Sequence, residues 1–265
     1  MRKRGVTMLL ALNVGNTDIA LCNWEGNEIL FSAELSTDTT RTADEYAAQL
    51  FQIFSMREFD YRKITDVIIA SVVPTLDETI RSAVAQFTAA RPVFIGAGIK
   101  TGMKIRIDTP SQLGADLVSL ASGAKRYTQG ACIIALFDTA TTLTVLDLEG
   151  DVVGAVIMPG VLSSARALKR DAALLLECSL SKPRCVIGKN TTDSLRSGLI
   201  IGAAAQIDGM ILRIAGELGC TVSDITLLAT GKYAQQVTPH CSYTFRTVPH
   251  LLFEGLHTLF CRNHP

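Results

Sequence analysis

The chain has 265 residues, 48% of them hydrophobic, with 25 Lys and Arg set against 25 Asp and Glu. That balance leaves no basic surplus for gripping nucleic acid, and the apolar content is ample for packed cores, which excludes wholesale disorder. The first apolar run is broken by Asn13, Asn16 and Asp18 and is too short for a membrane span, so the chain reads as a cytoplasmic globular protein with neither membrane nor nucleic acid as partner.

In chain order, residues 8–30 (MLLALNVGNTDIALCNWEGNEIL) read as a β-hairpin. An apolar strand ends at Asn13, a Gly-Asn-Thr turn follows, and a second strand runs to the turn at Glu25-Gly26. Residues 64–74 (ITDVIIASVVP) read as a buried strand, and residues 75–90 as an amphipathic helix with Thr75 as N-cap. A short strand (RPVFIGAG) follows, and then a helix from Gly114 to Gly130 joining two halves.

The second half repeats the first. IIALFDTATTLTVLDLEGDVV, from Ile133, aligns with LLALNVGNTDIALCNWEGNEI, from Leu9, at an offset of 124 that sets Thr141 on Thr17. Each unit is a hairpin with a turn of small and hydroxylated residues, and a duplicated domain accounts for both. Beyond it, residues 150–160 read as a strand and residues 161–177 as a helix. A long helix over residues 190–219 is capped by Thr191 or Thr192, with glycines that suggest close helix packing, and DITLLATG forms a last strand and turn. The expected architecture is α/β: two domains, residues 8–117 and 118–265, facing each other across a cleft.

Turns of Gly, Asn and Thr at strand ends present N–H groups and hydroxyls, which suits nucleotide phosphates. Three such turns occur: Asn13, Val14, Gly15, Asn16 and Thr17; the DTATT segment from Asp138; and the ATG that ends at Gly231. Asp116, between small residues at a helix start, is either a helix-dipole acid or a general base for an attacking hydroxyl. The Gly-Lys-Asn-Thr before the long helix lacks the upstream glycine of a Walker A loop. It is either a capped helix start or a polar lip for a substrate. Seven scattered cysteines without a CxxC pair read as reduced thiols, and His240, His250, His257 and His264 match no zinc spacing.

NVGNT, SVVP, GAGIKTGMKIRID, GADL, TATT, MPGVLSSARAL, IGKNT, ATG and EGL occur in the order found in type III pantothenate kinases. The chain resembles that family from Met8 to Asn263. The resemblance implies two ribonuclease-H-like domains of the acetate and sugar kinase/actin superfamily. It also implies a cytoplasmic homodimer that phosphorylates pantothenate with ATP, opening coenzyme A synthesis, with Mg²⁺ or another divalent metal and a monovalent cation (K⁺ or NH₄⁺). Carried over, the ATP-phosphate turn starts at Asn13, Thr139 and Gly231 face ATP, Gly114, Ala115, Asp116 and Leu117 form the pantothenate-binding segment, and Thr191 contacts substrate. Asp116 is the proton acceptor.

Six positions depart from the family pattern. Asn13 and Leu136 stand where Asp is expected, Leu117 where Arg is, Asp138 and Lys232 where Gly is, and Ile107 where many members carry Tyr. Asp138, two residues past Leu136, is the candidate replacement ligand for the cation, and Asp18 is a candidate neighbour of Asn13 across the hairpin. Lys232 either aims a positive charge at phosphate or blocks the adenine side. The residues leave open a pantothenate kinase, a kinase for another hydroxyl-bearing substrate, and a catalytically impaired paralogue acting as a binding or regulatory protein.

Overall fold

The computed structural model describes residues 7–171 and 179–264. The second part of the helix expected over residues 161–177, with Cys178, lies outside them. The elements are β1 (Met8–Val14), β2 (Asp18–Glu25), β3 (Glu28–Ser36), α1 (Ala43–Met56), β4 (Asp66–Ser71), α2 (Asp77–Ala85), β5 (Val93–Phe94) and α3 (Ala115–Ala124). They continue with β6 (Cys132–Phe137), β7 (Ala140–Leu146), β8 (Val152–Pro159), α4 (Val161–Asp171), α5 (Thr191–Arg196), α6 (Gly202–Leu218), β9 (Thr226–Thr230), α7 (Ala234–Val237), β10 (Arg246–Thr247) and α8 (Leu251–Asn263).

Two five-stranded sheets share one topology. The first runs β3-β2-β1-β4-β5 and the second, read from the other end, β8-β7-β6-β9-β10. In each, the first three strands in sequence pair antiparallel and the last two add in parallel to the first. Strands β1 and β6 begin at Met8 and Cys132, and 132 − 8 reproduces the offset of 124.

The repeat slips at its turn. Residues 15–17 separate β1 from β2, whereas residues 138–139 separate β6 from β7. The second turn is one residue shorter, so Thr141 is drawn into β7 and buried while Thr17 stays exposed in its turn.

The chain forms two compact units that are not separated by one cut at residue 117. The first holds residues 1–102, 109–123 and 252–265, and the second residues 103–108 and 124–251. Helix α8 thus packs with the first unit. The reason is visible at Gly255, where an added Cβ would overlap the Ser119 carbonyl of α3. Backbones that close exclude any side chain.

In the first unit, β1 is apolar apart from Asn13 because both faces of a central strand are covered. Leu10, Leu12 and Val14 join Tyr46, Leu50 and Phe54 of α1 in one core, and those three α1 residues share a face by their four-residue spacing. A capping box closes α1: Glu45 N–H donates to the Thr42 hydroxyl at 3.3 Å, and Thr42 N–H donates to the Glu45 carboxylate at 2.7 Å. Thr75 does not cap α2. Pro74–Leu76 forms a 3₁₀ turn instead, since proline favours a first helical position, and α2 starts at Asp77.

In the second unit, residues 191–218 run as α5, a π-turn over Ser197–Ile201, and α6. This helix passes a length and apolarity test for a membrane span. Leu199, Ile200, Ala204, Ile207 and Ile211, however, are core residues of the unit. Its N-cap is Asn190, whose side-chain oxygen accepts from Asp193 N–H at 2.9 Å, so neither threonine caps it. An added Cβ at Gly198, Gly202 or Gly216 meets nothing within 4 Å, so these glycines do not serve helix packing among the described residues. Helix α3 ends at Ala124 rather than Gly130.

Candidate active site

In the first unit, the turn after β1 is held by its own backbone and by Thr37. Gly15 N–H donates to the Asp18 carbonyl at 2.9 Å, Thr37 N–H donates to the Thr17 carbonyl at 2.9 Å, and the Thr37 hydroxyl donates to the Gly15 carbonyl at 2.7 Å. Asn16 and Thr17 are left exposed.

Asn13 pairs with Ala20 on one side and Ala70 on the other, two methyl side chains that leave room above the amide. Its Oδ1 is buried without a hydrogen-bond partner, an arrangement that costs free energy unless something else supplies the contact. Asp18 does not stand opposite Asn13. It pairs with Ser36 and lies two residues from Ala20 on the same face, so it is a diagonal neighbour.

The segment carrying Asp116 meets the same end of the sheet. Val72 N–H donates to the Val14 carbonyl at 3.0 Å, extending β4 alongside β1, and a Cβ at Gly114 would lie 3.6 Å from Val72 Cγ1 and against Asp116 Oδ1. Glycine at 114 therefore leaves the space that the Asp116 carboxylate uses. Burial raises the Asp116 pKa above the usual carboxylate range, outweighing the hydrogen bond from Leu117 N–H at 2.8 Å. A helix start ordinarily lowers an acid, so the raised value comes from the shielded setting. Ala115 and Leu117 beside it are buried, and the Leu117 side chain belongs to the core.

In the second unit, three motifs meet at the turn of Asp138 and Thr139. A Cβ at Gly160 would collide with the carbonyl oxygens of both residues, and one at Gly231, where φ is +94°, would lie 2.5 Å from the Phe137 carbonyl. Ser163 donates its hydroxyl to the Thr139 carbonyl at 2.6 Å. Neither the proline-glycine step after β8 nor the ATG turn could be tied to this turn by local pattern. Asp138 lies beyond the end of β6, its N–H donating to the Ala140 carbonyl at 3.1 Å, so it does not continue the strand face of Leu136. Leu136 pairs with Thr142 and with Thr230, and the Thr142 hydroxyl is buried without a partner. Lys232, directly after Gly231, is exposed.

Thr191 lines a cavity of about 820 Å³ within this unit, together with Val161, Ser163, Ser164, Leu168 and Ser194. The MPGVLSSARAL and IGKNT segments thus flank one space. Gly188 lets the second segment approach α5, since a Cβ there would overlap Ser194 backbone. Ile107 is half-buried on residues 103–108, which pair with the second sheet: Arg106 N–H donates to the Val152 carbonyl at 2.7 Å, and its guanidinium reaches Asp151 at 2.8 Å and Asp147 at 3.6 Å. Among the described residues, no group of three His, Cys, Asp or Glu side chains is placed to hold a metal.

A duplicated 3-2-1-4-5 sheet with a small-residue turn after each first strand defines the two-domain fold of sugar kinases and actin-like proteins. Consistent with that class, the chain superimposes on a putative 2-dehydro-3-deoxygalactonokinase from Sinorhizobium meliloti with a TM-score of 0.58 at 13% identity, covering 97% of this chain and 99% of that one. It matches MreB 5 of Spiroplasma citri bound to AMPPNP with a TM-score of 0.56 at 10% identity, covering 97% of this chain and 96% of that one. The model of the type III pantothenate kinase family matches residues 9–213. A type III pantothenate kinase of Myxococcus xanthus is 37% identical over 97% of this chain and 99% of its own length. The chain belongs to the type III pantothenate kinase family.

Proposed function

We propose that this chain transfers the γ-phosphoryl group of ATP to the hydroxyl of pantothenate, forming 4′-phosphopantothenate at the start of coenzyme A synthesis. The observation that carries this reading is the Asp116 carboxylate, raised in pKa by burial and placed beside the ends of β1 and β4. A base with a raised pKa accepts a proton more readily near neutrality.

In the proposed reaction, Asp116 takes the proton of the substrate hydroxyl as its oxygen bonds to the γ-phosphorus. The bond from that phosphorus to the β,γ-bridging oxygen breaks and ADP leaves with the electron pair. The turn at Asn13, Val14, Gly15, Asn16 and Thr17 is proposed to hold phosphate in the first unit. Thr139 and Gly231 in the second are proposed nucleotide contacts, while Thr191 and Ile107 are proposed substrate contacts. Gly114 and Ala115 position Asp116.

The residues around Asn13 fit a divalent ion, because an orphaned oxygen between two alanines offers a hard cation, or its water, a donor. Bound with ATP, Mg²⁺ would neutralise phosphate charge. The residues fit a monovalent cation poorly at Leu136, which supplies no oxygen, and no step is routed through one; Asp138 in the neighbouring turn is the remaining carboxylate for that role. Homodimerisation and a cytoplasmic location are proposed from family membership.

The test is product formation from ATP and pantothenate, followed by mass, beside Asp116→Asn. We expect turnover by the wild type and a loss of roughly 10² to 10⁴ in kcat for the variant, with ATP binding retained. Saturable ATP binding with no pantothenate product in either protein would instead support the binding-protein reading.

A further inference from the structure

The turn after the first strand of each sheet carries the same contact, made by residues that the repeat does not align. In the first unit the Thr37 hydroxyl donates to the Gly15 carbonyl at 2.7 Å, and in the second the Ser163 hydroxyl donates to the Thr139 carbonyl at 2.6 Å. The accepting residues are 124 positions apart, the offset of the repeat, whereas the donors are 126 apart. Both donors follow the third strand of their sheet, but on different backbones: Thr37 comes directly after β3, and Ser163 lies in the first turn of α4. The carbonyl thus holds one position of the repeat in both units, and a hydroxyl from a different place meets it in each.

Thr37 is itself held in place. Its N–H donates to the Thr17 carbonyl at 2.9 Å, and the next peptide is bracketed by the buried Tyr46. Asp38 N–H donates to Tyr46 Oη at 2.9 Å, and the Tyr46 hydroxyl donates to the Asp38 carbonyl at 2.8 Å. The core position of α1 therefore fixes Thr37, and Thr37 fixes the turn. The consequence is electrostatic, because a strand-end turn attracts a phosphate with its N–H groups and repels it with any unpaired carbonyl. Here Thr37 occupies the carbonyls of both Gly15 and Thr17, and the Gly15 N–H occupies that of Asp18. Between them Asn16 is exposed, and its N–H has no partner among the described residues.

We propose that Thr37 and Ser163 are positioning residues for ATP. Each ties down a turn carbonyl that would otherwise oppose a phosphate oxygen, so that the turn meets the nucleotide with donors. The inference rests on the nucleotide role proposed above for the two turns. Neither hydroxyl has to touch the nucleotide, since the effect of each passes through the carbonyl of Gly15 or Thr139. Removing either hydroxyl releases that carbonyl and weakens the hold on phosphate.

The test is calorimetric titration of the full-length protein with ATP and Mg²⁺, beside Thr37→Val, Thr37→Ser and Ser163→Ala. Thr37→Val keeps the shape of the side chain and the backbone bond to Thr17, and removes only the hydroxyl. It should raise the Kd for ATP about tenfold, the scale of one hydrogen bond to a charged group. Thr37→Ser returns the donor and should restore wild-type binding, and Ser163→Ala should weaken binding by a similar factor. A folded Thr37→Val that binds ATP as the wild type does, or a Thr37→Ser as weak as Thr37→Val, would overturn the proposal. If Thr37→Val does not fold, Ser163→Ala set beside Ser163→Thr decides by the same two comparisons. A wild type that binds ATP but forms no phosphopantothenate removes the substrate reading, and the Thr37 comparison still decides this one. No saturable ATP binding by the wild type removes both.

Discussion

Asn13 on β1 faces Ala20 across the hairpin, and its side-chain oxygen is buried without a partner. The amide thus sits in a space floored by small side chains, at a position where the resemblance in sequence implies a carboxylate. Replacing it by Asp should strengthen divalent-ion binding and raise kcat by up to about 10², the scale of one transition-state electrostatic contact. Without the ion, the same variant should melt below the wild type because it buries an unpaired charge. Activity titrated against Mg²⁺, with melting curves in EDTA, checks both. A variant as fast and as stable as the parent at every Mg²⁺ concentration sinks the idea.

Asp116 carries a pH signature. Its folded pKa is raised above the ordinary 3.8 by burial, so the native state holds the proton more tightly than the unfolded chain. Its contribution to stability is therefore full below about that ordinary value and is lost as pH rises through the folded pKa. Asp116→Asn removes the penalty. The variant should be more stable than the wild type at pH 7 and should lose that advantage toward pH 3, while its phosphotransfer falls. Urea unfolding at the two pH values measures the crossover.

Asp151 in the second unit behaves in the opposite sense. Asp151 is held below its ordinary range, first by the Lys104 N–H at 2.8 Å and then by the Arg106 guanidinium. Its contribution is present above about the unfolded value and lost as pH falls through the folded one. Asp151→Asn should lower Tm at pH 7, with the gap closing in acid, and should loosen residues 103–108. Hydrogen exchange at Lys104 and Arg106 reports the second effect.

Gly160 and Gly231 leave no room for a side chain beside the Asp138 turn. Gly160→Ala and Gly231→Ala should each destabilise the protein by roughly 1–3 kcal/mol, the range for strained backbone or a forced overlap. Gly216→Ala meets nothing within 4 Å on α6 and should be neutral or stabilising by up to about 1 kcal/mol. Denaturant midpoints of the three variants give the ranking, and equal effects at Gly160 and Gly216 would contradict it.

Leu136 explains a second orphan. It pairs with Thr142, whose hydroxyl is buried without a partner, and with Thr230. Leu136→Asp would give Thr142 an acceptor and supply the oxygen a monovalent cation needs. Its activity should become K⁺-dependent where the wild type is indifferent, as read from rates in K⁺ against a large organic cation.

The repeated hairpin was legible in the sequence, because a two-residue strand period and glycine-asparagine turns are local properties. The helix joining the halves was legible too, but not its end. The cap of the long helix lies one or two residues before the expected threonines, since Asn190, Thr191 and Thr192 are all competent caps and only backbone geometry chooses among them. Local pattern also could not show that one turn is a residue shorter than the other, which moved Thr141 from turn to strand.

The sequence by itself determined the family, the two sheets and the placement of Asp116 at a helix start, all of which follow from residue order and spacing. Tertiary structure decided which groups meet. It set α8 against α3 through Gly255, closed Gly160 and Gly231 on the Asp138 turn, and brought His257 to the carbonyl of Gly26, 231 positions away in the chain. Those contacts arise from packing between elements remote in sequence, where the shape left by one backbone selects the side chain of another.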